Sequence, residues 1–288
     1  MEEFVIQLDL MKILVESRGL VLKRLVCLVM AGMALAGLLS CRTVTPEAGS
    51  DLQPRAAIID QLYLLSPNQA FIDKATGLLE SYGFSVDVWQ GEQVTVDFYR
   101  EMAGYGYRLI ILRAHGGIML RVNQQGGAAV QEETFLFTGE IYQEGKHPTE
   151  QLSDRVQKAL MTPDYPLVFA VNPSFIRKEL GGSFNDTVVI NMGCSSGYID
   201  DLARAFVEKG VSAYLGWSAT VTLKYVDEAT LILLNKLVAD EKMSEAVGQT
   251  MTIADRDPYY QSRLVLYPES VANKNLAELL KLERIPRS

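Results

Sequence analysis

His115 and Cys194 have the side chains and the positions that nucleophilic catalysis needs. His115 follows the apolar run Leu109 to Leu112 and precedes two glycines, and Cys194 follows the apolar run Thr187 to Met192 and precedes Ser-Ser-Gly. A thiol becomes a strong nucleophile once it is deprotonated, and histidine is the side chain best suited to remove that proton near neutral pH. The two residues together therefore predict acyl transfer through a cysteine nucleophile.

Both residues must be positioned by the elements before them. Apolar strand-like runs and amphipathic helical runs alternate along the chain, which predicts an α/β fold with a mostly parallel sheet of about six strands and helices on both faces. The carboxyl ends of parallel strands meet at one edge of a sheet, so residues 79 positions apart in sequence can meet there. The predicted strands are Ala56–Ile59, Ser85–Trp89, Leu109–Leu112, Thr187–Met192, Ala213–Gly216 and Leu264–Tyr267, and the predicted helices are Gln69–Tyr82, Thr95–Ala103, Asp200–Lys209 and Val226–Ala239.

The stretch from Leu120 to Asp186 departs from this alternation. It holds Thr134 to Thr138 and Pro166 to Val171, separated by Gly, Pro and polar residues. Such short runs between turn signals are typical of antiparallel strands. We therefore expect a β-rich insertion between two central strands of the main sheet.

The glycines near both reactive residues leave the backbone accessible. Because Gly116 carries no Cβ, its N–H and that of Cys194 can approach a substrate and form an oxyanion hole, which typically lowers a barrier by about 3 kcal/mol. His147 lies in a polar stretch before Pro148, and we expect it to be solvated.

The order of these motifs resembles the caspase-like cysteine peptidases, the clan of caspases, legumains, gingipains, clostripain, separase and the bacterial CHAT domains. The resemblance rests on an apolar strand followed by His115-Gly116, and on an apolar strand followed by Gly193-Cys194-Ser195-Ser196-Gly197. It extends to Ala56–Asp60, Leu78–Val86 and Gly210–Trp217, and so covers most of residues 56–268. The caspase pentapeptide around the cysteine is lacking.

The resemblance implies a role for each matching residue. His115 resembles the base or proton donor of the clan, Cys194 its nucleophile and Gly116 its oxyanion donor, and the resemblance implies a peptide or protein substrate and no metal or cofactor. Substrate preference in this clan depends on the charge of a pocket, for which Asp60 is the acidic candidate and Trp217 a candidate wall. Asp60 is otherwise a turn or capping residue, and Trp217 is otherwise part of the core. Arg113 would suit a basic pocket, but the strand pattern does not fix its direction.

The N-terminal residues predict export and lipid anchoring. Lys23 and Arg24 precede an uncharged apolar run that ends in Leu38-Leu39-Ser40-Cys41. This sequence resembles a bacterial lipobox, which implies cleavage before Cys41 and a diacylglycerol on its sulfur. A short transmembrane anchor is the alternative. Either Met1 or Met11 is the start of translation.

Three segments follow from this interpretation. Residues 1–40 form a signal peptide, 41–55 a lipidated tether and 56–288 the peptidase domain, at a bacterial cell envelope. Of three cysteines, Cys194 is then the one free thiol of the mature domain. The net charge of −8 argues against a nucleic-acid partner. A catalytically inactive caspase-like lipoprotein that binds a partner at the envelope is the alternative function.

Overall fold

A six-stranded sheet carries the candidate residues in the computed structural model, which describes residues 53–122 and 130–282. Its order is β10-β9-β8-β3-β1-β2. All pairs are parallel except β9 with β10, which is antiparallel. In chain order the strands of the fold are β1 (Arg55–Asp60), β2 (Ser85–Gln90), β3 (Tyr107–Arg113), β4 (Gly116–Val122), β5 (Val130–Ile141), β6 (Val156–Ala159), β7 (Val168–Val171), β8 (Thr187–Asn191), β9 (Val211–Trp217) and β10 (Leu264–Tyr267).

Helices cover both faces of this sheet. One buried apolar cluster joins the sheet to residues of α1, α6, α7 and α8, and a second joins the opposite face to residues of α2, α4 and α5. The predicted fold class, α/β with a mostly parallel sheet of six strands, is therefore confirmed. The helices are α1 (Gln69–Tyr82), α2 (Val96–Glu101), α3 (Pro148–Leu152), α4 (Pro173–Lys178), α5 (Asp201–Glu208), α6 (Leu223–Val238), α7 (Met243–Ala254) and α8 (Leu276–Leu280).

The predicted β-rich insertion is a second, antiparallel sheet of order β4-β5-β7-β6. It lies in sequence between β3 and β8 and has its own apolar cluster, which includes Phe135 and Phe137. Its first strand begins at Gly116, four residues before the expected Leu120. The run GGIMLRV lacks strict alternation, so its strand character comes from pairing with β5 and not from a local pattern.

Local signals explain why α1 has the predicted bounds. The Asn68 side chain accepts a hydrogen bond from the backbone N–H of Phe71, which caps the first turn. Gly83 ends the helix in the left-handed conformation, with φ +113°, and its N–H donates to the Glu80 and Leu79 carbonyls. The chain then enters β2.

The predicted signal peptide and the lipidated Cys41 lie outside the described residues, so both remain predictions. Within residues 53–122 and 130–282, no helix combines the length and apolar character needed to cross a bilayer.

A buried ion cluster joins the strand ends to the helices. The Arg113 guanidinium donates to Asp60 on β1 at 2.7 Å and to both carboxylate oxygens of Asp227 on α6 at 2.9 and 3.0 Å. It also donates to the Ser66 carbonyl, and the Asn68 amide donates to Asp227 at 2.8 Å. Arg113 and Asp60 are wholly inaccessible to solvent. One guanidinium therefore compensates two buried carboxylates and holds β1, β3 and α6 together.

We expect Arg113→Met to lower the free energy of unfolding by about 3–5 kcal/mol, because it leaves both buried carboxylates without their counter-charge. Urea denaturation of the purified protein measures this change. The matched control is Arg204→Met, which breaks an exposed pair with Asp200 and should leave the denaturation midpoint unchanged. Equal midpoints for Arg113→Met and the wild type would contradict the assignment.

Candidate active site

The loops after β3 and β8 meet through their backbones. A Cβ atom placed on Gly116 would lie 2.9 Å from the Cys194 carbonyl oxygen, and one placed on Gly193 would lie 3.0 Å from the Ala114 carbonyl oxygen. The Met192 N–H donates to the Leu112 carbonyl at 2.8 Å, which extends the pairing of the two strands. Both positions therefore need glycine, and the structure brings His115-Gly116 and Gly193-Cys194 side by side.

A tight turn from Gly193 to Tyr198 presents Cys194. Ser195 has φ +54°, a conformation that costs a non-glycine residue energy and recurs at functional sites. Its N–H donates to the Ala219 carbonyl at 2.9 Å. A Cβ on Gly197 would lie 2.2 Å from a Val265 methyl group, and one on Gly216 would lie 2.9 Å from Ser196 backbone atoms. The turn is thus packed tightly on the ends of β9 and β10.

A buried hydrogen-bond network holds this turn. The Asn191 amide donates to the Tyr214 hydroxyl, which donates to the Ser196 carbonyl, both at 2.9 Å. The Asn191 side-chain oxygen accepts from the Gly193 N–H at 2.8 Å, and Ser196 Oγ accepts from the Trp217 N–H at 3.0 Å. This network has no local sequence signal, because it joins strand residues and turn residues that lie up to 23 positions apart.

Gln61 anchors the histidine loop from the end of β1. Its side-chain oxygen accepts from the His115 N–H at 2.9 Å, and its amide donates to the Thr138 carbonyl at 3.2 Å. Gln61 is fully buried, so this contact bridges the histidine loop to the insertion sheet. The imidazole ring packs at a tilt against Phe137, with ring centroids 5.8 Å apart. The role of Gln61 could not be predicted from the sequence, because a buried glutamine has no distinctive local pattern.

His115 is a neutral base in this environment. Its pKa is lowered to about 4. Burial is the main cause, and the nearby positive charge of Arg113 contributes to the same shift. Its Nε2 atom is buried and has no hydrogen-bond partner among the described residues. The imidazole is therefore unprotonated at neutral pH, and its low pKa makes it a weak proton acceptor there.

Cys194 is a protonated thiol in the same structure. Burial raises its pKa, the Val221 backbone offsets part of that rise, and the Asp257 carboxylate adds to it. The sulfur lies 3.6 Å from the Val221 carbonyl oxygen, to which the thiol donates. Among the hydrogen bonds of the described residues, none joins this thiol to the His115 imidazole. His115 and Cys194 are therefore both neutral and are not hydrogen-bonded to each other.

The two backbone amides of the predicted oxyanion hole lie in the adjoining loops after β3 and β8. Gly116 and Leu136 form a non-hydrogen-bonded pair, because the Phe137 N–H donates to the His115 carbonyl at 3.0 Å. The Gly116 N–H on this edge strand then points away from β5. Apart from the Cys194 sulfur itself, no described residue accepts a hydrogen bond from the Gly116 or Cys194 amide. Both amides are therefore available to an anionic oxygen.

The two pocket candidates are buried in this conformation. Asp60 is bonded to Arg113 through Oδ1, and burial raises the pKa of its carboxyl although Arg113 counteracts this. Trp217 is 1% exposed and packs edge-on to Tyr225, with ring centroids 5.4 Å apart. Arg113 faces the same ion cluster, so its direction is now fixed. Whether Asp60 and Trp217 contact a substrate stays a prediction.

Buried polar atoms without partners concentrate around these strand ends. Five side-chain atoms of this kind occur in the described part of the chain. Three of them, Asp60 Oδ2, His115 Nε2 and Trp217 Nε1, belong to residues at the carboxyl end of β1, beyond β3 and at the end of β9. Buried orphan groups are rare in folded proteins and call for a functional explanation.

The His147 side chain is buried, so the prediction that it is solvated is wrong. Its Nε2 lies 2.8 Å from Glu140 Oε1, and its ring packs edge-on to Phe169. The backbone reversal at His147, with φ +52°, turns the side chain into the insertion sheet and away from water. In the described ranges no group of three His, Cys, Asp or Glu side chains is arranged to hold a metal ion.

We expect the low pKa of His115 to make the fold less stable in mild acid. The unfolded chain binds the proton near pH 6.5, whereas the folded chain resists it to about pH 4, so stability falls as pH falls through this window. The loss at pH 4, relative to the variant His115→Gln, should be about 3 kcal/mol. Urea denaturation of both proteins at pH 7, 5.5 and 4 tests this, and parallel pH curves would refute it.

Neither the protein-family models nor the curated proteins compared with this sequence give a match. No functional residue therefore comes to the chain from a relative. The resemblance to caspase-like peptidases rests on the two strand-end motifs and is compatible with the observed topology. The assignment of the site depends on its own geometry.

Proposed function

We propose that the chain is a cysteine endopeptidase with His115 as base and Cys194 as nucleophile. The observation that carries the proposal is the backbone contact between the Gly116 and Gly193 loops, which holds both reactive residues at one edge of a parallel sheet. The orphan Nε2 of His115 and the two available amides supply the other groups that acyl transfer needs.

The reaction follows from these groups. His115 removes the thiol proton of Cys194 as the sulfur attacks the scissile carbonyl carbon. The carbonyl oxygen becomes an oxyanion that the Gly116 and Cys194 amides stabilise. The imidazolium gives its proton to the departing amine, which leaves a thioester. Water, deprotonated by His115, then hydrolyses the thioester and frees the thiol.

The resting protonation states determine how this sequence begins. With an imidazole pKa of about 4 and a thiol pKa raised above its ordinary value, the thiolate–imidazolium pair is unfavourable before substrate binds. Proton transfer must then accompany attack, or a rearrangement must first bring the two side chains into contact. The mechanism therefore corresponds to general-base catalysis and not to a preformed thiolate.

The cellular setting follows from the sequence. A lipid on Cys41 would hold the enzyme at the bacterial envelope, where peptides or proteins are its substrates. Asp60 would favour substrates with Arg or Lys at the cleavage site if its unpartnered Oδ2 becomes accessible. A peptide-library cleavage profile tests this preference directly.

A non-catalytic binding module at the envelope is the second candidate function. It is favoured by one observation, the protonated thiol that hydrogen-bonds to Val221 and not to His115. A binding module predicts no labelling of Cys194 by peptides that carry a thiol-reactive electrophile. A peptidase predicts labelling that a competing substrate slows.

We expect Cys194→Ala and His115→Gln each to abolish peptide hydrolysis. Both substitutions remove a group that forms or breaks bonds, and losses of about 10³-fold or more are typical. Hydrolysis of a fluorogenic peptide pool and thermal melting are measured together. The control is His147→Gln, which alters the other histidine and should retain activity. Wild-type turnover in the Cys194 variant would exclude this mechanism.

A further inference from the structure

Two segments lie beside Cys194, whose side chain is partly exposed. The cover segment, residues 218–222, follows β9 and supplies the Val221 carbonyl that accepts the thiol hydrogen bond. The latch loop, residues 255–262, follows α7 and packs on the cover segment. Val221 is 6% exposed and Cys194 is partly exposed, so the cover segment shields the thiol on this side without burying it completely.

Side chains of the latch loop fasten the cover segment at two points. Asp257 Oδ2 accepts from the Thr222 N–H at 2.8 Å and from the Thr222 hydroxyl at 2.9 Å. Ser262 Oγ accepts from the Ala219 N–H at 3.0 Å and lies 3.1 Å from the Ala219 carbonyl, to which it can donate. Asp257 and Ser262 are wholly buried. The fastening is therefore a buried polar contact that water does not compete with.

Asp257 also affects the thiol electrostatically. The N–H groups of Thr222, Tyr260 and Tyr259 outweigh its burial and hold the pKa of the Asp257 carboxyl below its usual range. The resulting negative charge raises the pKa of Cys194. The charge of Asp257 therefore disfavours the reactive thiolate, whereas the Val221 backbone of the cover segment acts in the opposite sense.

The latch loop has backbone features that favour its release. Asp255 and Gln261, at its two ends, are non-glycine residues with φ +59° and +55°. Such conformations cost about 1–3 kcal/mol each and persist only while surrounding contacts impose them. Opening the loop would relieve this strain.

We propose that the latch loop keeps the site in a closed resting state, in which Asp257 and Ser262 hold the Val221 carbonyl on the thiol of Cys194 and keep that thiol away from His115. This inference rests on the proposed function, because it describes the regulation of the same nucleophile. Its test reads the reactivity of the thiol alone.

The test measures alkylation of Cys194 by iodoacetamide in the full chain, in detergent at pH 7.5. Mass spectrometry of the tryptic peptide of residues 179–204 separates Cys194 from the other two cysteines. Asp257→Asn places an amide donor against the Thr222 donors, and Ser262→Ala removes the Ala219 contact. We expect alkylation to be roughly tenfold faster in each variant, a usual size for coupling between two segments.

Glu228→Gln is the matched control, since it removes one negative charge from an exposed position on α6 and should react at the wild-type rate. Thermal melting is measured for every variant. If Asp257→Asn or Ser262→Ala does not fold, Thr222→Val, which removes one hydroxyl and keeps the backbone contact, gives the deciding rate. Wild-type rates in the folded variants would overturn the proposal.

The two proposals fail separately. Faster alkylation in the latch variants, with no peptide hydrolysis by the wild type or by those variants, would support the latch and exclude the peptidase. Hydrolysis by the wild type together with unchanged alkylation in the variants would support the peptidase and exclude the latch.

Discussion

The pairing of one buried guanidinium with two buried carboxylates is the interaction on which the site depends. Arg113 is the last residue of β3, and His115 lies two positions beyond it. Its contacts with Asp60 and Asp227 fix the end of β3 against β1 and α6, and the Asn68 cap of α1 joins the same cluster. The position of the imidazole therefore depends on ion pairs between Arg113 and residues of neighbouring elements. Burial is the main cause of the low pKa of His115 and the charge of Arg113 adds to it, so one side chain both positions the imidazole and helps to keep it neutral.

Much of the fold follows from local patterns. The continuous apolar runs of β3 and β8 and the capped, amphipathic α1 have signals within a few residues, and the structure has them where the sequence predicts. The antiparallel direction of β10 has no such signal, because strand direction depends on the path of the preceding chain. The early start of β4 at Gly116 depends likewise on pairing with a strand that comes later in the sequence.

The residues of the site likewise divide into those that have a local sequence signal and those that do not. His115, Cys194 and Gly116 are recognisable because each reactive group follows a buried strand. Gln61, Tyr214 and Asp257 are not, because their roles arise from contacts with residues 54, 18 and 35 positions away. Burial of Asp60 and Trp217 was equally inaccessible to the sequence, since a strand-end residue turns toward solvent or core according to the helices that cover it. Long-range polar contacts are therefore what sequence reasoning on a single chain lacks.

The glycine contacts between the two loops have a consequence for how such a site changes in evolution. Gly116 and Gly193 are required by backbone proximity and not by chemistry, so replacing the Cys194 side chain leaves the requirement for both glycines intact. The same holds for Gly197 and Gly216, which let the turn rest on β9. A homologue that has lost the thiol would still need these glycines, because the same backbone contacts remain. The glycine pattern therefore marks the fold, whereas the proposed activity depends on His115 and Cys194.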